Sequence, residues 1–269
     1  MRNIQRRFTT VVTGLLAVGL LVPTADAATA HCKVIAHRGL YQGTENQPAG
    51  VRAAAKWFGA EIDASVTSDG IPIGVHDGKL GRLTGGDLTG FVDEYTYAQV
   101  TSSKVSHPFG QFRRTTRLIH AAAVTNSPIL VTLNKWTRVK TAGYAASTLD
   151  TLYDAAQEHP RPHLVFFGGS GARTAMAARH PDAALFRRYE GRWSTRRIVA
   201  NIKAEDIDLV ALPKARHTRY TVRKVRATDP TRVTTRQIYN RAEARAAQRA
   251  GINIMQGNRP RRIAVRWCR

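Results

Sequence analysis

Acidic side chains, aromatics and cysteines are all scarce in this chain. Asp and Glu total 19 against 41 Lys and Arg, aromatics are 7% of 269 residues, and there are two cysteines. The imbalance leaves a net charge of +22, a field that attracts phosphates, anionic wall polymers, nucleic acid and anionic lipid surfaces. The excess reads as spread along the chain rather than gathered in one block. No basic run is interleaved with aromatics, and no zinc-finger or RNP-type pattern occurs, so specific nucleic-acid recognition is not expected. No glycine-rich dinucleotide fingerprint follows the first strand-like run. An apolar content of 43% excludes a disordered tail and a collagen-like chain, and a polytopic membrane protein is excluded on composition as well.

One apolar run stands out, Val11 to Val22, preceded by Arg2, Arg6 and Arg7 and followed by Ala25-Asp26-Ala27. A basic start, a run too short to span a bilayer comfortably and small residues at the cleavage positions predict an export signal over residues 1–27. The expected product is a secreted domain over residues 28–269 with no transmembrane segment. Export places Cys32 and Cys268 in an oxidising compartment, where an even count suggests a bridge. They sit at opposite ends of that domain, and domain termini often lie close together.

Short apolar runs then alternate with helix-like stretches. Strands are expected at Lys33–Ala36, Ala60–Val66, Ile71–Val75, Ile129–Leu133, Leu164–Phe167, Ala184–Phe186, Leu209–Leu212 and Ile252–Met255. Helices are expected at Pro48–Phe58, Thr115–Thr125, Ala142–Glu158, Ser170–Arg179, Ser194–Ile202 and Ala242–Ala250. About eight strand–helix units in this length predict an α/β fold, a single-domain (β/α)8 barrel, with an open doubly wound sheet as the alternative.

Ionisable residues collect at the predicted strand ends between His37 and Asp77. His37-Arg38-Gly39 follows the first strand, Glu45-Asn46 precedes the first helix, Glu61-Ile62-Asp63 lies in the next strand, and His76-Asp77 closes the segment. Strand ends of a parallel barrel face one mouth, so these groups are expected to converge. Glu61 and Asp63 are two apart, so both carboxylates point to one side, where they repel unless a cation intervenes. All-oxygen ligation suits Ca²⁺ or Mg²⁺. His37 and His76 suit general base and acid work near neutral pH, and Arg38 suits a phosphate.

These residues, with Thr67-Ser68-Asp69-Gly70 and Leu80-Gly81-Arg82-Leu83-Thr84-Gly85, resemble the glycerophosphodiester phosphodiesterase family. Phe91–Val105 resembles the family's small insertion after the second strand. Ala250–Met255 and Asn258-Arg259-Pro260 resemble its last helix and strand. The resemblance implies a TIM barrel that cleaves glycerophosphodiesters to sn-glycerol 3-phosphate and an alcohol with a divalent metal. By matched position it implies His37 and His76 as the acid/base pair and Glu61 and Asp63 as metal ligands. It further implies Arg38 and Lys135 on the substrate phosphate, with Glu45 and Asn134 in support.

The family usually supplies a third acidic ligand two residues before a lysine. In Val131-Thr132-Leu133-Asn134-Lys135-Trp136, Lys135 matches that lysine, which puts Leu133 in the acid's place and Asn134 on the opposite face unless a bulge rotates it inward. The closing T-D-x-P pattern is Gly257-Asn258-Arg259-Pro260, which loses another carboxylate. Three outcomes follow: a water-completed metal site, a different anionic phosphodiester such as a lipid headgroup or wall polymer, or a barrel that binds such groups without turning them over. A phospholipase-D-like toxin of related fold would add an apolar membrane-docking rim, and none is visible in the sequence. Trp136 at the mouth suits either stacking on substrate or core packing. His31, His107, His120, His159, His163, His180 and His217 show no metal spacing and read as surface or loop residues.

Overall fold

A strand buried on both faces must be rich in Val, Ile, Leu and Phe, and the segments of this kind pair side by side in chain order. The computed structural model describes residues 32–40, 44–54, 58–106, 110–122, 128–169, 171–228 and 232–268. Eight parallel strands form its sheet: β1 (Lys33–Ala36), β2 (Phe58–Val66), β3 (Ile129–Leu133), β4 (Val165–Gly168), β5 (Phe186–Arg188), β6 (Leu209–Leu212), β7 (Arg232–Gln237) and β8 (Ile254–Gly257). Their order is β4-β3-β2-β1-β8-β7-β6-β5, and a parallel bridge from Phe167 to Leu185 joins the two ends. The result is a nearly closed (β/α)8 barrel, as the alternation of elements predicts. The predicted export signal, His31 and His107 lie outside the described residues.

Strand alternation sorts the side chains into two layers. Ile35, Leu130, Phe166, Phe186 and Leu209 fill the barrel interior. Val34, Ala36, Ile62, Val131, Leu133, Val210 and Leu212 face the helices in a larger apolar layer. Each such fully buried branched or aromatic side chain contributes about 1.5–3 kcal/mol. Ile73, Val75, Leu80, Leu83, Val92, Val100 and Phe112 form a separate small core beneath the segment between β2 and the helix Thr115–Ala122. The small insertion expected after the second strand is therefore a packed unit, and it fixes the His76 loop.

The helix starts follow from capping chemistry. Ser194, Thr218 and Asn240 each accept a hydrogen bond from the backbone N–H three residues on, opening the helices Thr195–Glu205, Arg219–Arg226 and Arg241–Arg249. The last two, rich in arginine, are amphipathic and bury Val222, Val225, Ala244 and Ala247. Cys32 and Cys268 are bonded, with their Cα atoms 5.6 Å apart, so a bridge staples β1 to the C-terminal turn.

Two expectations are corrected. Ile71–Val75 is not a barrel strand: only Pro72–Ile73 is extended, pairing antiparallel with the end of β2. The seventh barrel strand is instead Arg232–Gln237, and Arg219–Arg226 is an additional helix. Charged residues at both ends of Arg-Val-Thr-Thr-Arg-Gln mask the strand, although Val233, Thr234 and Thr235 are fully buried. No helix among the described residues is long and apolar enough to cross a membrane.

Candidate active site

The C-terminal ends of β1, β2, β3, β5 and β8 bring the ionisable residues to one mouth. After β1 the chain turns through Arg38 and Gly39, both left-handed at φ 54° and 76°. At Gly39 a Cβ would sit 3.2 Å from Val51, so glycine suits the second position. The turn points the Arg38 N–H at Glu61 Oε2, 3.1 Å away, and leaves His37 beside the same carboxylate, with Nε2 at 3.7 Å from Oε2.

Glu61 and Asp63 are fully buried on the inward face of β2, as their spacing predicts. Glu61 Oε1 accepts from the Thr132 hydroxyl at 3.2 Å and from Arg188 Nη2 at 3.1 Å. Asp63 accepts from Asn134 Nδ2 at 3.1 Å and Asn46 Nδ2 at 3.2 Å, and Arg38 Nε lies 3.7 Å away. Burial opposes ionisation of Glu61, but His37, Arg188 and the Arg38 N–H outweigh it and hold the carboxyl below its usual range. Burial and the charge on Glu61 push Asp63 up to about 6.

The two histidines differ in setting. His37 is buried, which lowers its pKa despite the neighbouring Glu61, and its Nδ1 lies 2.6 Å from Asn258 Oδ1. Because that oxygen can only accept, Nδ1 carries the proton and Nε2 presents its lone pair. His76 is more open, with 43% of its side chain exposed against 10% for His37. Its Nδ1 is 2.9 Å from Asp77 Oδ1, and Asp77 also pairs with Arg82. Partial burial works against ionisation of Asp77, yet His76 and Arg82 hold it well below the carboxylate range. Glu45 is buried between Arg38 and Arg82, at 2.6 Å from each.

The strand β3 corrects the expected phase of the third position. Asp63 pairs in register with Thr132 and Ala64 with Leu133. Thr132 and Asn134 therefore face the acids, while Leu133 packs among the helix-facing core. Lysine-anchored spacing had placed Leu133 inward and Asn134 opposite. Lys135 itself turns away in a left-handed conformation at φ 53°, its methylenes packed across Gly78. It shares a mouth cavity of about 510 Å³ with Thr132, Asn134, Arg173 and Arg188, and makes no ion pair with the acids among the described residues. Trp136 joins the helix-facing core, and His159 is buried rather than superficial.

Arg188, Arg82, Asn46, Thr132 and Asn258 belong to the site although the spacing of the acids and histidines does not single them out. Arg188 is legible only once Phe186 is known to face the barrel interior, since residues two apart on a strand share a face.

A divalent cation would find the Glu61–Asp63 pair on one face, the hard-oxygen chemistry that Ca²⁺ or Mg²⁺ prefers. The rest of the donor set does not fit. Among the described residues no group of three His, Cys, Asp or Glu side chains converges, and all four carboxylate oxygens of the pair face protein donors. A guanidinium already sits on Glu61, and a cation entering there would face Arg188 and Arg38.

Residues 37–160 match the model of the Glycerophosphoryl diester phosphodiesterase family. A stretch of 69 residues is 44% identical to human glycerophosphodiester phosphodiesterase 1 and 42% to the bovine protein, covering 24% of this chain and 20% of each relative. The matched stretch thus spans about a fifth of the curated relatives. The fold is similar over nearly the whole chain to an Oleispira antarctica phosphodiesterase solved with the product sn-glycerol-3-phosphate, with TM-score 0.72 and 19% identity, covering 86% of this chain and 94% of that one. A glycerophosphodiester phosphodiesterase from Thermotoga maritima gives TM-score 0.65 at 15% identity, covering 86% and 96%. Over residues 37–160, which carry the paired acids and histidines at the barrel mouth, the chain resembles the Glycerophosphoryl diester phosphodiesterase family, and beyond that stretch the likeness is one of fold.

Proposed function

We propose that the chain is a secreted phosphodiesterase that hydrolyses glycerophosphodiesters to sn-glycerol 3-phosphate and an alcohol. The observation that carries this reading is a continuous polar network joining a buried neutral histidine to an open one. His37 meets Glu61, and Arg38 lies between the acids with its N–H on Glu61 and its Nε 3.7 Å from Asp63. Asp63 meets Asn134, and Asn134 Nδ2 reaches the His76 backbone carbonyl at 3.4 Å. The product-bound Oleispira relative supports the product named. The Cys32–Cys268 bridge supports export, since such bridges persist in oxidising compartments.

The chain's own residues supply each part of the chemistry. Nε2 of His37 accepts the proton of the attacking oxygen as the new P–O bond forms, either from water directly or from the glycerol 2-hydroxyl, in which case water then opens the cyclic phosphate to sn-glycerol 3-phosphate. His76, oriented by Asp77, gives a proton to the departing alkoxide as the old P–O bond breaks. Arg38 and Arg188 present guanidinium charge at the mouth, where negative charge grows on the phosphoryl oxygens. Glu45 holds Arg38 and Arg82 in place, and Lys135 lines the approach.

The test is release of sn-glycerol 3-phosphate from glycerophosphocholine by the folded chain. His37→Ala and His76→Ala are each expected to lower kcat by roughly 10²–10⁴-fold, the usual worth of general acid–base groups. Equal turnover in wild type and both variants would sink the reading.

A second reading, binding of an anionic polymer or lipid surface, is favoured by one observation. Residues 214–269 hold 16 Lys and Arg against Asp229 and Glu243, so the positive charge is concentrated toward the C-terminus rather than evenly spread. Exposed Arg219, Arg223, Arg245, Arg249, Arg261 and Arg266 lie there. Binding of this kind weakens steeply with salt and tolerates alanine at both histidines.

A further inference from the structure

We propose that the guanidinium of Arg188 takes the place of a divalent cation beside Glu61, so that this barrel cleaves its phosphodiester without a metal ion. The inference rests on the phosphodiesterase reading for its chemistry, but its central claim concerns the charge balance of the site.

Three observations converge. The inward position of β3 opposite the acids is Thr132, a neutral hydroxyl that donates to Glu61 Oε1 at 3.2 Å, where a third carboxylate would be needed to hold a cation firmly. Arg188 sits on that same oxygen at 3.1 Å, and Glu61 is fully buried while the Arg188 side chain is 28% exposed. It therefore reaches from the mouth onto a buried anion, from a strand separated from β2 by β4 and β3 around the barrel. Finally, the pair of acids is matched by a pair of guanidiniums: Arg188 on Glu61, and Arg38 with its N–H on Glu61 and its Nε beside Asp63. Arg38 is shared with Glu45, which Arg82 also meets, so Arg188 is the guanidinium that Glu61 shares with no other acid among the described residues.

Arginine suits this substitution chemically. Its guanidinium carries five donors in a fixed plane, of which Glu61 engages one. Arg188 also lines the mouth cavity, where phosphoryl oxygens would lie. A bidentate guanidinium–phosphate contact supplies the same electrostatic service as a Lewis acid, without coordination.

The experiment pairs turnover with direct cation binding. Wild type, Arg188→Gln and Arg188→Lys are stripped with EDTA, checked for native circular dichroism, and titrated with CaCl₂ and MgCl₂ by calorimetry. Hydrolysis of glycerophosphocholine is followed in parallel. Wild type is expected to show no binding heat up to millimolar cation and to change rate less than about twofold on EDTA treatment. Arg188→Gln is expected to lose about 100-fold or more in kcat, the usual worth of one lost charge-stabilising donor. It is expected to acquire cation binding and recover part of its rate in Ca²⁺ or Mg²⁺, while Arg188→Lys stays indifferent to cation. One-to-one cation binding by wild type, or EDTA inactivation reversed by Ca²⁺ or Mg²⁺, overturns the proposal. Failure of Arg188→Gln to bind cation overturns it too. If no substrate is turned over, the phosphodiesterase reading fails on its own, and the calorimetry still decides whether Arg188 excludes a cation.

Discussion

Restoring the missing carboxylate tests the inward face of β3 directly. Thr132→Glu places an acid beside Glu61, because the Thr132 hydroxyl already lies 3.2 Å from Glu61 Oε1. At an effective dielectric near 20, two carboxylates about 4 Å apart repel by about 4 kcal/mol. In a domain of this size 1 kcal/mol moves Tm by about 2–4 °C, so the variant in EDTA is expected to melt about 10 °C below wild type. Three acids then converge, and Ca²⁺ at 100 times its Kd returns about 3 kcal/mol of stability. Leu133→Glu is the contrasting substitution. Leu133 is 4% exposed in the helix-facing core, so a glutamate there loses apolar packing worth about 2–5 kcal/mol and buries a charge without a partner. Together these approach the whole stability of about 5–15 kcal/mol, and no cation reaches that side to offset them. Thermal melts of both variants with EDTA, CaCl₂ and MgCl₂ separate the cases. A folded Leu133→Glu that is stabilised by Ca²⁺, beside a Thr132→Glu that is not, would refute the register on which the site is built.

Other expectations follow from single contacts. Asn258→Ala removes the 2.6 Å partner of His37 Nδ1 and is expected to lower kcat by about 10–100-fold with KM little changed, as for other groups that orient a reacting imidazole. Reduction of Cys32–Cys268 opens a loop spanning 236 residues and should cost about 5 kcal/mol on the chain-entropy model, read from urea unfolding with and without reductant. Because burial lowers the pKa of His37, the neutral base persists below pH 6.5, and the acid limb of kcat/KM is expected below that value. An acid limb above 7 would contradict a buried neutral His37. Asp63 titrates with the opposite consequence for folding. Its folded value of about 6 exceeds the ordinary 3.8, so the folded state holds the extra proton between them, and the cost of ionisation is full above pH 6 and gone near pH 4. The stability difference between Asp63→Asn and wild type should therefore shift by about 3 kcal/mol in favour of the variant from pH 4 to pH 8.

The parts of the fold legible in the sequence are those where apolar runs are uninterrupted. Val-Ile-Ala before His37, Ile129–Leu133 and Leu209–Leu212 are buried at every one of these positions, and their composition says so. Arg232–Gln237 escapes because its ends are partly solvated and its buried centre is mostly threonine, which composition alone assigns to a loop as readily as to a strand. Ile71–Val75 misleads for the opposite reason. Its isoleucine and valine serve the separate core beneath the insertion, so hydrophobicity marks burial there without marking the barrel.

The site divides along the same line. Glu61 and Asp63 lie in mid-strand, where period-two alternation fixes their common face once the strand is recognised. Thr132, Asn134 and Lys135 lie where β3 gives way to a turn, and anchoring the pattern on Lys135 shifts the phase by one. The pairing of Asp63 with Thr132 sets that phase, and it is a long-range fact, the partners lying 69 positions apart in the chain. Arg188 is harder still, since a three-residue strand offers too little alternation to show its face. What identifies it is the buried anion it meets. A glutamate with no exposure needs a countercharge within reach, and in a chain with twice as many basic as acidic residues that countercharge is more readily an arginine than a third acid with a metal. The composition that made anions the expected ligands also bears on how their charge is neutralised at the reacting centre.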